Sequence, residues 1–206
     1  MSGGAKLVFA THNAHKLREV TTILGEAMEL ARGVIVGADA VGGPDVKETG
    51  VTFAENAVLK ARALAEHSGL PAIADDSGLC VEVLGGAPGV FSARWAGTHG
   101  DDAANLALLL DQLSDVPPGK RGAWFECAAA LVTPDGQSWM ESGKLMGSLT
   151  AAPRGSGGFG YDPVLVPVGG ARTCAQLDPE EKNTISHRGR AFRALAPHIA
   201  RVLARG

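Results

Sequence analysis

Two adjacent carboxylates, Asp75 and Asp76, follow a short apolar run, Pro71–Ala74, and precede Ser77 and Gly78. Carboxylates at the end of a buried strand are costly unless they are paired or bound to a cation. Hard oxygen donors suit magnesium, which keeps several waters and bridges substrate phosphates. One of the pair could hold such an ion while its neighbour takes a proton from an attacking water. The competing reading is a polar turn in which Asp and Ser bond to their own backbone. Glu48, within Val46-Lys47-Glu48-Thr49-Gly50, is a further candidate ligand, and Lys60 could reach the same phosphates. Each of these two is equally readable as a solvated surface side chain.

Three more clusters carry chemistry. Thr11-His12-Asn13-Ala14-His15-Lys16 lies where a strand feeds a helix. Backbone N–H groups and the helix dipole favour an anion there, and Lys16 adds a mobile positive charge, so a triphosphate cradle competes with a plain capped helix. Gly155, Gly157 and Gly160 match G-x-G-x-x-G, but a dinucleotide loop needs a helix after it. Here a proline-containing segment follows, which leaves a loop offering Phe159 and Tyr161 to stack on a base, or to pack in the core. Lys182 and Ser186-His187-Arg188 form the last cluster. His187 and Arg188 could donate to a carbonyl at purine position 6, where adenine presents an amino group and would be rejected. The alternative is a helix cap at Ser186 with exposed basic neighbours. H-E-x-x-H, G-x-S-x-G and the Walker P-loop are all absent.

The elements that must position these groups alternate between helix and strand, which predicts an α/β class with a mixed sheet. Leu7–Ala10 reads as a strand, and Asn13 caps a helix with Leu17, Val20 and Leu24 on one side. Gly33–Ala38 reads as a second strand. Thr52 and Glu55 form a capping box for a helix that runs to about Ser68 and stops at Gly69. Pro71–Ala74 and Leu79–Leu84 read as separate strands on either side of the acidic pair, with a glycine-rich loop from Gly85 to Gly97. Asp101 starts a helix with Leu106, Leu109, Leu110 and Leu113 inward. Ala123–Val132 and Ser138–Leu145 flank the turn Pro134-Asp135-Gly136. Tyr161–Val166 reads as extended, Asp178-Pro179 opens a short helix, and the last helix carries Phe192, Leu195, Ile199, Val202 and Leu203 with a kink expected at Pro197. The 206 residues suffice for one large domain or two small lobes sharing a core.

Net charge is −3 with scattered basic residues, which argues against a nucleic-acid polymer as partner. Cys80, Cys127 and Cys174 form no C-x-x-C and fit a reducing cytoplasm. Behind the lead-in Met1-Ser2-Gly3-Gly4-Ala5-Lys6, the apolar run Leu7–Ala10 is too short for a signal peptide, and no run reaches membrane-spanning length.

Taken in order, the motifs resemble the inosine triphosphate pyrophosphatase family, the house-cleaning hydrolases of noncanonical purine nucleotides. The resemblance runs from Leu7 to about Leu203. It rests on T-x-N-x-x-K at Thr11–Lys16, F-x-x-N-A-x-x-K-A at Phe53–Ala61, and Ala74-Asp75-Asp76-Ser77-Gly78-Leu79. Gly85-Gly86-Ala87-Pro88-Gly89, Gly157–Pro163 and Ser186-His187-Arg188-Gly189 complete it. It implies an elongated α/β fold of one domain, 1–206, whose central mixed sheet is flanked by helices and split into two lobes with the active-site cleft between them. It also implies a homodimer. Asp76 resembles the family's proton acceptor and metal-linked carboxylate, with Glu48 and Asp75 as supporting acids. Thr11 to Lys16, Lys60 and Ser77 match phosphate and sugar contacts; Phe159, Gly160, Tyr161, Asp162, Lys182, His187 and Arg188 match the base pocket. The implied reaction is magnesium-assisted attack of water on the α-phosphorus of ITP, dITP or XTP. His12 departs from the family's usual glycine, and Leu145 or Met146 stands near the family's tryptophan. A hydrolase of other damaged nucleotides and a nucleotide-sensing module without turnover are the rival readings.

Overall fold

The computed structural model describes residues 5–28, 30 and 33–205, so the lead-in Met1–Gly4 lies outside the described residues. Two short strands and one long one open the sheet: β1 (Leu7–Phe9), β2 (Ile35–Gly37) and β3 (Ala72–Val81). β1 is buried along its length and pairs in parallel with β2, Leu7 opposite Ile35, and with β3, Phe9 opposite Ile73. Parallel neighbours need long crossovers, and α1 (Ala14–Met28) and α2 (Phe53–Ser68) supply them. β4 (Gly122–Val132), β5 (Ser138–Leu149) and β6 (Leu165–Pro167) extend the sheet to the order β2-β1-β3-β4-β5-β6. β6 runs antiparallel to β5, so the six-stranded sheet is mixed. α3 (Asp102–Gln112), α4 (Pro179–Ile185) and α5 (His187–Leu203) complete the fold.

The local signals work where they depend on neighbours in sequence. Asn13 Oδ1 accepts from the N–H groups of His15 and Lys16, and Thr52 with Glu55 forms the full capping box. Gly69 closes α2 at φ 68°, a left-handed conformation that glycine adopts without strain. Asp101 caps α3 through Ala104 N. α5 is one helix through Pro197.

Two expectations change. β3 is a single strand through the acidic pair, so Asp75 and Asp76 sit mid-strand and not at an end or in a turn. Its second half stops at Val81, and residues 82–84 form one tight turn in place of a strand to Leu84. Gly78 makes the continuity possible. A side chain there would overlap Gly89 O and Ser92 Oγ, the latter accepting from Leu79 N at 2.9 Å. Residues 161–164 turn instead of extending, with Val164 N bonding to Tyr161 O at 3.1 Å, and only Leu165–Pro167 is strand.

The chain divides into two compact units. The first comprises Met1–Asp76, Cys127–Gly143 and Arg188–Gly206; the second comprises Ser77–Glu126 and Lys144–His187. Phe9, Val20, Leu24, Ile73, Leu131 and Leu195 centre the core of the first, where Phe9 meets Phe192 edge-on at 5.8 Å. Leu79, Leu109, Leu113, Phe125 and Leu165 centre the core of the second. Among the described residues no helix is long and apolar enough to cross a membrane.

Candidate active site

In the first unit the β1–α1 junction is closed on itself. Thr11 Oγ1 accepts from Asn13 N at 3.1 Å, and Asn13 Oδ1 takes the His15 and Lys16 amides at 2.8 and 3.2 Å. An anion here would compete with that cap. Ala14 is the first residue of α1 and is exposed. His12 Nδ1 lies 2.5 Å from Asp39 Oδ1, and His15 Nδ1 lies 3.0 Å from Arg18 Nη2, so neither ring is committed to the junction. Lys16 points the other way, its Nζ 3.7 Å from Asp75 Oδ2.

α2 and β3 build the acidic centre. Asp76 accepts from Asn56 Nδ2 at 3.0 Å, and its Oδ1 lies 3.5 Å from Lys60 Nζ. Lys60 donates to Glu48 Oε1 at 2.6 Å, so one ammonium joins two carboxylates from different parts of the chain. Burial pushes the Asp76 carboxyl above its ordinary range; Lys60 and the Asn56 amide pull it down, while Glu48 and Asp75 push it further up. Burial works against the Lys60 ammonium, but Asp76, Asp75 and Glu48 outweigh it and hold the group above its usual value.

Asn56 carries a role that the sequence reading misses, although it stands inside the quoted motif. It is fully buried, and its Oδ1 accepts from Gly50 N at 2.8 Å while its amide grips Asp76. It therefore ties the Glu48 loop to the strand that bears the acid. A Cβ on Gly50 would sit 2.7 Å from Asn56 Oδ1, which explains the glycine.

Asp75 feels the Lys60 charge too, but it pairs directly with Arg188 and Lys16. Its Oδ2 accepts from Arg188 Nε and Nη2 at 3.1 and 3.0 Å, and Arg188 Nη1 donates to Glu19 Oε2 at 2.9 Å. Burial would raise the Asp75 carboxyl, but Lys16, Arg188 and Lys60 outweigh it and hold it well below the ordinary carboxylate range. Burial lifts the neighbouring Cys127 thiol strongly, and the Asp75 charge lifts it further, so it stays protonated. Arg188 thus gives three donors to two carboxylates, and the expectation of exposed basic residues after Ser186 fails: Ser186, His187 and Arg188 are all buried. Glu19 is a second residue missed from sequence, because its partner lies 169 residues away.

In the second unit the glycine-rich loop is anchored at several points. Asp162 is buried and accepts from Phe159 N at 2.8 Å and Lys182 Nζ at 2.6 Å. Gly160 N donates to Asp102 Oδ2 at 2.9 Å. Lys182 Nζ stands 5.2 Å from the centre of the Phe159 ring, which is 42% exposed. Tyr161 is not a stacking platform: it is 5% exposed, and its hydroxyl donates to Ser92 O at 2.9 Å. His187 stacks on Phe125 with ring centres 4.9 Å apart. Ser77 is half-buried on β3. Gly158 has φ 71°, and a side chain there would overlap the Asp162 carboxylate. Gly158→Ala is expected to cost roughly 1–3 kcal/mol from backbone strain alone. A thermal melt unchanged from wild type would show that the loop relaxes freely.

The model for the Ham1 family matches residues 7–198 of this chain. The chain belongs to the Ham1 family. Within it, a dITP/XTP pyrophosphatase of Streptomyces coelicolor is 61% identical over 202 residues, covering 96% of this chain and 98% of that protein. The solved structure of a HAM1 protein from Coxiella burnetii superposes with a TM-score of 0.85 at 39% identity, covering 96% of this chain and 99% of that one. A nucleoside-triphosphatase, dITP/XTP pyrophosphatase, from Mycobacterium abscessus gives a TM-score of 0.75 at 50% identity, covering 93% and 98%.

The Ham1 acidic centre suits a hard divalent cation. Glu48 and Asp76 share one ammonium, so two carboxylates stand against a single lysine. Among the described residues no three His, Cys, Asp or Glu side chains are grouped as a ready-made metal cage. An ion that keeps most of its waters needs only one or two carboxylates. Glu48 and Asp76 fit that description. Asp75, expected as a third ligand, directs Oδ2 to Arg188 and Lys16.

Proposed function

We propose that this chain is a nucleoside triphosphate pyrophosphatase that cleaves ITP, dITP and XTP to the monophosphate and pyrophosphate, clearing them from the cytoplasmic nucleotide pool. The observation that carries the reading is the buried Asp76, raised by burial, gripped by Asn56 and flanked by Lys60 and Glu48. Such a group accepts a proton near neutral pH better than an ordinary aspartate. The relatives named above, which carry dITP and XTP in their names, support the substrate class.

In the reaction, Asp76 orients a water and takes its proton as the water oxygen bonds to the α-phosphorus. The bond to the bridging oxygen breaks, and pyrophosphate leaves with that electron pair. Lys60 and Lys16 neutralise phosphate charge, and residues 11–15 offer backbone and side-chain donors once the Asn13 cap yields. Magnesium, when held by Glu48 and Asp76, supplies Lewis-acid neutralisation of the phosphates. Ser77 contacts the sugar. Phe159 stacks on the base, while the Gly160 and Tyr161 backbone, the Asp162–Lys182 pair and His187 read its edge. Arg188 is assigned to holding Asp75, and the working form is a homodimer.

The test is a nucleotide panel assayed for pyrophosphate with magnesium present. kcat/KM for ITP, dITP and XTP should exceed that for ATP by about 100-fold or more, because the adenine amino group leaves donors unpaired at position 6; GTP, which shares the 6-carbonyl and differs from ITP by its 2-amino group, should also fall behind. Equal values for ATP and ITP defeat the selectivity reading; absence of pyrophosphate from any nucleotide defeats the activity.

A further inference from the structure

Phe159 stands between two glycines, Gly158 and Gly160, whose backbones are both left-handed, at φ 71° and 59°. Glycine has many conformations open to it, so a ring on such a tip keeps one orientation only if the neighbouring amides are held. They are held from two directions. Phe159 N donates to Asp162 Oδ2 at 2.8 Å, a bond inside the loop. Gly160 N donates to Asp102 Oδ2 at 2.9 Å, a bond that reaches the first residue of α3, 58 residues away. The next residue is tied to the same region: the Tyr161 hydroxyl donates to Ser92 O at 2.9 Å. Burial, and then the Asp102 charge, push that phenol well above its ordinary value, so it remains a donor. Asp102 and Ser92 share one frame. Buried Asn105 accepts from Ala96 N at 2.7 Å and donates to Ala93 O at 3.2 Å, which fastens the short helical segment Gly89–Arg94 to α3. Ser92 Oγ accepts from Leu79 N at 2.9 Å and donates to Gly89 O at 2.7 Å, and Leu79 lies two residues beyond Ser77 on β3. All of these residues belong to the second unit.

We propose that Asp102 is a positioning residue for the nucleoside: by holding Gly160 N it fixes the plane in which Phe159 meets the base. It acts through the loop and needs no contact with the substrate. The frame it belongs to also carries Ser77, so the ring for the base and the hydroxyl for the sugar are set at one spacing. The role rests on the pyrophosphatase reading for the identity of the nucleotide. A tip released on the Asp102 side must be ordered afresh by each incoming nucleotide, so the cost falls on binding and not on the bond that breaks. The neighbouring Asp101 has a different duty. Its Oδ1 accepts from Ala104 N at 3.0 Å and caps α3. Two adjacent aspartates thus divide the work, one holding the helix and the other holding the loop.

Steady-state kinetics on ITP with the full chain tests it. Asp102→Ala should raise KM about tenfold, the cost of ordering one freed side chain with its backbone, and move kcat by less than about twofold. Asp102→Asn keeps an oxygen acceptor at the same reach and should bring KM back to within about threefold of wild type. Asp101→Ala should lower the melting temperature through the lost cap and leave KM where it was. Hydrogen exchange at the Gly160 amide, followed by NMR, should quicken in Asp102→Ala and not in Asp101→Ala. Calorimetry with the α,β-methylene analogue of ITP, which keeps the base and cannot release pyrophosphate, repeats the affinity comparison without turnover. A wild type that releases no pyrophosphate, yet binds this analogue more tightly than Asp102→Ala does, overturns the pyrophosphatase reading and upholds the tether. A wild type that neither turns over ITP nor binds the analogue overturns both. Unchanged KM and analogue affinity in Asp102→Ala, no recovery in Asp102→Asn, or an equal rise in KM in Asp101→Ala overturns the role of Asp102.

Discussion

Replacing Asp76 with Asn is expected to lower kcat on the preferred triphosphate by about 10³–10⁴-fold, the upper part of the range for removing a positioned general base. The substitution keeps the volume, and its carbonyl can still accept from Asn56 Nδ2, which lies 3.0 Å from Asp76 Oδ2. Lys60 retains Glu48 at 2.6 Å, so the loop, α2 and β3 stay tied together. Stability should hardly fall. A carboxyl whose folded value is raised carries a penalty that is absent below its unfolded value of about 3.9, grows as pH rises toward the folded value and is complete above it, and the neutral amide removes that penalty. The loss should therefore sit in kcat, with nucleotide binding by calorimetry within a few-fold of wild type and an unchanged melt. Near-normal turnover in Asp76→Asn would remove Asp76 from the chemistry. A collapse of binding together with turnover would make it a scaffold residue.

The contrast between these residues and the rest shows what sequence can carry. Asn13, Thr52, Glu55 and Gly69 act on backbone groups within four residues, so their roles are readable locally. Asp75-Asp76 reads locally as a polar break because two charges inside a strand need compensation, and the compensating Arg188 lies 113 residues further on. Asn56 and Gly50 show the same limit: the motif marks Asn56, but only the folded chain shows that one amide serves both the Glu48 loop and Asp76. Phe159 and Tyr161 are equivalent as aromatic residues of one loop. The hydrogen bond from the Tyr161 hydroxyl to Ser92 O turns one inward and leaves the other exposed. The α/β class survives these misplacements, because the alternation of helix and strand depends on hydrophobic spacing and not on the position of any one polar pair.

Arg188→Met should be the most damaging substitution to the fold itself. It removes the donors at 3.1 and 3.0 Å from Asp75 and at 2.9 Å from Glu19, leaving two carboxylates in the interior of the first unit. Glu19 Oε1 already lacks a hydrogen-bond partner among the described residues, and Asp75 keeps the longer 3.7 Å contact with Lys16 Nζ, which answers part of its charge. Breaking a buried pair from one side costs about 3–5 kcal/mol, which for a chain of this size lowers the melting temperature by roughly 6–20 °C. The pH dependence identifies the cause. In wild type the Asp75 carboxyl is held below its ordinary range, so its stabilisation is fully present above about pH 4 and is lost only as pH falls through the depressed value. Without the guanidinium, burial dominates and the carboxyl moves up. Its charge then costs stability at neutral pH, and that cost fades as the group takes a proton on acidification. The gap between wild type and Arg188→Met should therefore be widest near pH 7–8 and narrow toward pH 4–5. Asp75→Asn combined with Arg188→Met should recover much of the lost stability, since no buried charge remains at position 75. A gap of constant size across pH, or a double variant no better than the single one, would mean that Arg188 acts through packing and that the charge group beneath Lys16 is incidental.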